Sequence, residues 1–228
     1  LFADRNGRAV PVAGMGRAHE WAVLAGDAFR TRWPDGTEPG GDKWKHPAFF
    51  TWSDLNGDGN VQPDEVRVIP GSGGGVTVMP GLAFVIARLD GRTMRFAPVD
   101  FTRDGVPVYD PAAGTAVAEG VEGPKSSGGD QALVHPDGWS VVTLGVAPFS
   151  PYSLCGVFGG RARWSYPSPW PGLHASHEAP EPARPDDVIG ATRLLGGFVT
   201  PRKGEAGPLW FLNGNFGPMY CFTADGLF

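Results

Sequence analysis

The sequence predicts an all-β chain, arranged as a β-propeller or most of one. Three observations carry that expectation. Short apolar runs alternate with tight Gly-containing turns along most of the chain, helical periodicity is nearly absent, and the strongest turns recur at long spacing. With 35 glycines and 23 prolines, about a quarter of the 228 residues are turn-formers. That alone would suggest low complexity, but 41% of the residues are hydrophobic, 11% are aromatic, and there are eight tryptophans. Disordered chains lack such aromatic content, so the chain reads as folded and turn-rich.

The hairpin units follow in order. Asp4 to Val10 turns at Asn6-Gly7, and Ala83 to Phe96 turns at Asp90-Gly91. Next come Phe101–Tyr109 with Asp104-Gly105, Val134–Val142 with Asp137-Gly138, Gly156–Trp164 with Gly159-Gly160, and Phe222–Phe228 with Asp225-Gly226. Asn-Gly and Asp-Gly supply the positive φ that type I′ hairpin turns require. From the turn at 90 to that at 138 is 48 residues, and from there to 225 is 87, close to twice as many. Blades of about 40–50 residues repeat at such a period, which gives four to five blades in one domain spanning 1–228. A β-sandwich is the competing architecture, with turns every ~8–12 residues and no longer period. Arg17 to Arg30 is the one stretch with room for a short helix, Gly71 to Gly75 reads as a flexible turn, and Pro167 to Pro185 as an irregular excursion. Apolar residues at both ends, Leu1-Phe2-Ala3 and Gly226-Leu227-Phe228, look like strands that continue elsewhere. The chain is therefore expected to be a piece of a longer protein.

A formal charge of −5 leaves no basic surplus to neutralise phosphates, so nucleic acid is not an expected partner. No apolar run approaches the ~18 residues a membrane helix needs. Cys155 and Cys221 sit in apolar, strand-like runs. They read as two buried free thiols, with a disulfide as the alternative in an oxidising compartment.

The most specific segment is Asp54-Leu55-Asn56-Gly57-Asp58-Gly59-Asn60-Val61-Gln62-Pro63-Asp64-Glu65. A hard divalent cation such as Ca²⁺ takes six to eight oxygens. Asp54, Asn56 and Asp58 stand at alternate places, Gly59 where the chain must bend, Asn60 where a carbonyl is offered, and Gln62 within reach directly or through water. Glu65 stands at the twelfth place, and Val61 is the apolar position that packs the loop inward. Over these twelve residues the chain resembles the EF-hand calcium loop. The resemblance implies Ca²⁺ as the cofactor, held by Asp54, Asn56, Asp58, Asn60, Gln62 and Glu65, with Glu65 bidentate. It stops at the flanks, because Pro47–Ser53 and Val66–Pro70 read as strands and not as the paired helices of an EF-hand. The loop is closer to calcium loops set between strands of secreted bacterial propellers. The segment Ala162–Pro167 and the stretch from Leu209 to Phe228 resemble strands of NHL- or quinoprotein-type blades, without counterparts of the quinone-binding residues. These resemblances imply a calcium-stabilised binding or scaffold module of a secreted or envelope-exposed protein, with carbohydrate or another protein as its partner. The alternative they leave open is an extracellular polysaccharide lyase or hydrolase built on the propeller.

No nucleophile motif, phosphate-cradling loop or dinucleotide fingerprint occurs, and no catalytic residue is assigned. His174 and His177, with Glu178, form the only close histidine pair; they read as loop histidines bonded to backbone, or less readily as a metal or catalytic group. His19, His46 and His135 read as ordinary surface or satisfied residues. Trp52, Trp139, Trp164 and Trp210 lie in strand-like runs and read as core. Trp33, Trp44 and Trp170, beside Pro or Gly in loops, are candidates for a sugar-stacking surface, against rim packing as the bland alternative.

Overall fold

The structure, a computed structural model, describes residues 1–123, 130–168, 193–214 and 217–227. Trp170, His174, His177 and Glu178 lie outside the described residues, as does most of the Pro-rich stretch.

The chain is all-β, built of small antiparallel sheets. Strands β1 (Phe2–Arg5) and β2 (Arg8–Pro11) form the first hairpin, with Phe2 opposite Pro11 and Arg5 opposite Arg8. Its turn has Asn6 at φ 56° and Gly7 at φ 78°, the left-handed pair that the sequence predicts. Next, β3 (Ala13–Arg17), β4 (Ala48–Ser53) and β5 (Val66–Pro70) make a three-stranded sheet with β4 in the middle. Every residue of β4 is buried, as the central strand of a covered sheet requires.

Between β3 and β4 the expected helix is absent. Three short 3-10 segments replace it, Ala18–Glu20, Ala22–Ala25 and Asp27–Arg32. Trp21 and Gly26, both extended (ψ 101° and 147°), interrupt the turns, and no side chain caps any of them. These segments fold Leu24, Phe29 and Trp33 onto Phe50, Trp52 and Val66. Trp33 is thereby buried, with its indole N–H donated to the Leu24 carbonyl at 3.0 Å, so it belongs to a core and not to a stacking surface. Trp44 is 80% exposed.

Strands β6 (Gly73–Val78), β7 (Phe84–Leu89), β8 (Arg92–Phe96) and β11 (Thr115–Glu119) follow one another across a four-stranded sheet. The glycine stretch that reads as a flexible turn in fact opens β6. A Cβ on Gly73 would lie 2.5 Å from the Phe49 ring, so only glycine lets the strand pass. Short pairs are formed by β9 (Asp100–Phe101) with β10 (Pro107–Val108), and by β12 (Val121–Glu122) with β15 (Gly145–Val146). A second four-stranded sheet runs β13 (Ala132–Val134), β14 (Trp139–Val142), β16 (Ser153–Phe158), β17 (Arg161–Pro167). The last sheet runs β18 (Arg193–Val199), β19 (Leu209–Asn213), β20 (Met219–Thr223). After β20 the chain turns, with Gly226 N–H on the Thr223 carbonyl at 3.1 Å, and no further strand follows among the described residues.

Contacts divide the chain into two compact units. The first holds Leu1–Gly73, Pro80–Phe84 and Arg95–Thr115; the second holds Gly74–Met79, Val85–Met94 and Ala116–Phe228. In the first, Tyr109 is 4% exposed, donates its hydroxyl to the Leu82 carbonyl at 2.5 Å, and meets Phe84 edge-on at 4.9 Å. Burial pushes its phenol up to about 12. The folded value lies above the ordinary ~10, so the neutral phenol's contribution is complete below that pH and fades as pH rises toward the folded value. Urea denaturation should show about 1–2 kcal/mol lost over that alkaline window, and Tyr109→Phe should remove that limb of the profile. An unchanged profile in Tyr109→Phe would assign the alkaline loss to other groups.

In the second unit, Trp210 and Phe222 are fully buried cross-strand partners stacked at 4.3 Å, and Trp164 continues the stack at 5.7 Å from Trp210. Trp139 and Trp164 are half-buried, less covered than core residues would be. Trp139 packs on Phe158 beside the turn of its hairpin, at the end of the sheet. Both thiols are free. Cys155 is buried, and that burial pushes its thiol up; Cys221 is exposed, contrary to the expectation of two buried thiols.

Candidate metal centre

The twelve-residue loop joins the neighbouring antiparallel strands β4 and β5. Its base is the pair Trp52–Val66. Asp54 directly follows the central strand, and its own N–H is tied to the Val12 carbonyl at 2.8 Å, which seats the loop's first carboxylate inside the unit. Asp54 is completely buried.

The loop winds around its own side chains. Asp54 Oδ1 accepts from Gly57 N–H at 2.9 Å and Oδ2 from Gly59 N–H at 3.1 Å. Asn56 Oδ1 accepts from Asp58 N–H at 3.0 Å, and Asp58 Oδ1 from Asn60 N–H at 2.7 Å. These are successive Asx turns, in which a short side chain stands in for a backbone carbonyl and bends the chain every two residues. Gly57 and Gly59 take φ of 78° and 73°, which the winding requires. The exposed Asp58 carboxyl is held below its ordinary range, chiefly by the Asn60 N–H and further by the amides of Gln62 and Asn56. Those amides reach Asp58 Oδ2 at 2.7 and 3.2 Å. The oxygen of the same Gln62 amide, Oε1, is buried without a hydrogen-bond partner. Val61 packs against the Trp52 cluster, as its place in the loop predicts.

Glu65 ends the loop at 6% exposure. Its Oε1 accepts from the N–H of Leu55 at 2.7 Å and of Asn56 at 3.3 Å. Its Oε2 accepts from the N–H of Gln62 at 3.2 Å and the Trp52 indole at 3.2 Å.

Two partners of the loop carry no signal in the sequence. Arg5, at the end of β1, donates to the Gly57 carbonyl and places its guanidinium 3.9 Å from Asp54 Oδ2. Nothing short of the fold brings together residues 52 positions apart. Trp52 reads as plain core, and its core position is what aims the indole N–H at Glu65. Among the described residues, no three His, Cys, Asp or Glu side chains gather as a metal cluster. A cation in this loop would therefore rest on amide and carbonyl oxygens beside its carboxylates. The donor set fits a hard divalent ion: every candidate is oxygen, two are buried carboxylates (Asp54 and Glu65) and one is a buried amide oxygen without a partner.

His19 and His135 each have partners of their own. His19 Nε2 meets the His46 carbonyl at 3.0 Å, and its ring stands edge-on to Trp33. His135 pairs with Asp137 and packs on Phe198. A shallow cleft is lined by Thr37, Glu38, Asp42 and His46, residues that carry no motif in the sequence. No helix among the described residues is long and apolar enough to cross a membrane. No protein-family model, curated protein or solved structure matches the chain.

Proposed function

We propose that this chain is a calcium-stabilised, propeller-type module with a binding or scaffold role in a secreted or envelope-exposed protein. The observation that carries the reading is the loop itself. Its Asx turns wind Asp54, Asn56 and Asp58 around one another, next to a buried Gln62 oxygen that has no partner. Ca²⁺ would be held by oxygens of Asp54, Asn56, Asp58 and Gln62 and by the Asn60 carbonyl. The ion would offset the repulsion of carboxylates that Arg5 answers only in part. Two amide side chains in place of acids keep the ligand charge low and the affinity modest, suited to calcium outside the cell. Glu65, the remaining member of the expected set, has both oxygens engaged by N–H donors.

The propeller reading rests on sheet order. Among the described residues, the sheets β3-β4-β5, β6-β7-β8-β11, β13-β14-β16-β17 and β18-β19-β20 are chain-ordered meanders of three or four strands. Consecutive meanders are how blades are made. Carbohydrate or another protein is the proposed partner, with the exposed Trp44 as a stacking face.

Thermal melting of chelator-treated protein tests the calcium reading. At calcium about a hundredfold above Kd, binding adds about 2.7 kcal/mol, a rise of roughly 5–10 °C for a chain of this size. Asp58→Asn, which removes a charge but keeps the shape of an exposed side chain, should need at least tenfold more calcium for the same rise. Melting indifferent to millimolar calcium would overturn the reading.

A further inference from the structure

Glu65 occupies the place from which a loop of this kind closes on its ion, yet its carboxylate is turned to other work. A carboxylate oxygen has two in-plane lone pairs. Oε1 takes Leu55 N–H and Asn56 N–H, and Oε2 takes Gln62 N–H and the Trp52 indole, so all four places are filled. The donors come from both ends of the loop and from the core strand beneath it. By contrast, Asp54 gives each oxygen a single loop N–H, and Gln62 Oε1 has no hydrogen-bond partner. Coordination capacity thus remains at Asp54 and Gln62 and is used up at Glu65.

We propose that Glu65 is a positioning residue and not a calcium ligand: it closes the loop through four N–H donors, without metal, and so gathers the remaining oxygens of the loop before an ion arrives. The assignment of ligands to the rest of the loop rests on the calcium reading; the metal-free closure does not. The alternative is costly. Turning Glu65 toward an ion would strip three backbone N–H groups and a buried indole of their acceptor, and each orphaned donor works against binding. A pre-closed loop binds with little rearrangement and loses little ordering entropy on binding.

The test is made on the whole chain by ¹⁵N–¹H NMR and melting. In chelator, Glu65→Gln is expected to melt about 5–10 °C below the parent, and its Trp52 indole proton should lose protection from exchange. Trp52→Phe, which removes the indole donor together with part of the buried ring, should melt lower as well. On adding calcium to the parent, the Gly57, Gly59 and Asn60 amide signals should move while the Trp52 indole and Leu55 amide hold still. Glu65→Gln melting with the parent in chelator, or the Trp52 indole and Leu55 signals moving most with calcium, would overturn the proposal. If calcium moves no signal, the calcium reading falls, and the chelator arm alone decides the role of Glu65. If Glu65→Gln does not fold with or without calcium, metal-free closure is supported, and Trp52→Phe melting with the parent would overturn it.

Discussion

Gly156→Ala is expected to lose about 3 kcal/mol, seen as a lowered urea midpoint. Gly156 pairs with Trp164 across β16 and β17, and the indole lies flat on the glycine. A Cβ there would stand 1.9 Å from Trp164 Cε2. The ring cannot simply retreat. Gly226 crowds it too, since a Cβ there would stand 2.6 Å from Trp164 Cγ, and the indole N–H is fixed on the Ala224 carbonyl at 3.0 Å. Beyond it stand Trp210 and Phe222, both with no exposure. The added methyl must displace strand or stack, and interiors packed at crystal density transmit such strain. Removing the ring should relieve the clash, so Gly156→Ala with Trp164→Leu should cost less than the two single changes summed. Strict additivity would mean that the indole does not occupy the glycine's space.

Asp54→Ala should be of similar size, about 3 kcal/mol in chelator, and should abolish the calcium response as well. The side chain is fully buried and accepts from Gly57 and Gly59, so its loss leaves two loop N–H groups without their acceptor and the Arg5 guanidinium without its countercharge. Asp54→Asn separates the two effects. It keeps one acceptor oxygen and the volume, so stability should fall by less, while the calcium-dependent rise in melting should still vanish. An Asp54→Asn protein that keeps a full calcium response would remove Asp54 from the ligand set.

What the sequence made readable follows from how local each signal is. The Asn6-Gly7 and Asp90-Gly91 turns were legible because positive φ at both turn residues is a local demand that few residue types meet. The Asx-wound loop was legible for the same reason, together with the strands on either side of it. Features that depend on distant partners were not. Nothing near Trp33 announces that three short 3-10 segments will carry it onto β4, and nothing near Gly73 announces the Phe49 ring. Apolar strands hide their orientation too. Met219-Tyr220-Cys221-Phe222 is apolar on both faces, so only packing decides that Tyr220 and Phe222 face in and Cys221 out. The role of Glu65 was obscured by the strength of its own motif. Its place suggests a ligand, and only the donors around it reveal another use.

The unlike settings of the two cysteines have a practical corollary. Cys221 presents its sulfur at the surface of the last strand, whereas Cys155 is shielded, with burial disfavouring its thiolate. A maleimide or spin label can thus be attached at one defined point of the native molecule without engineering. The shielded sulfur becomes accessible to alkylation only when the surrounding sheet opens.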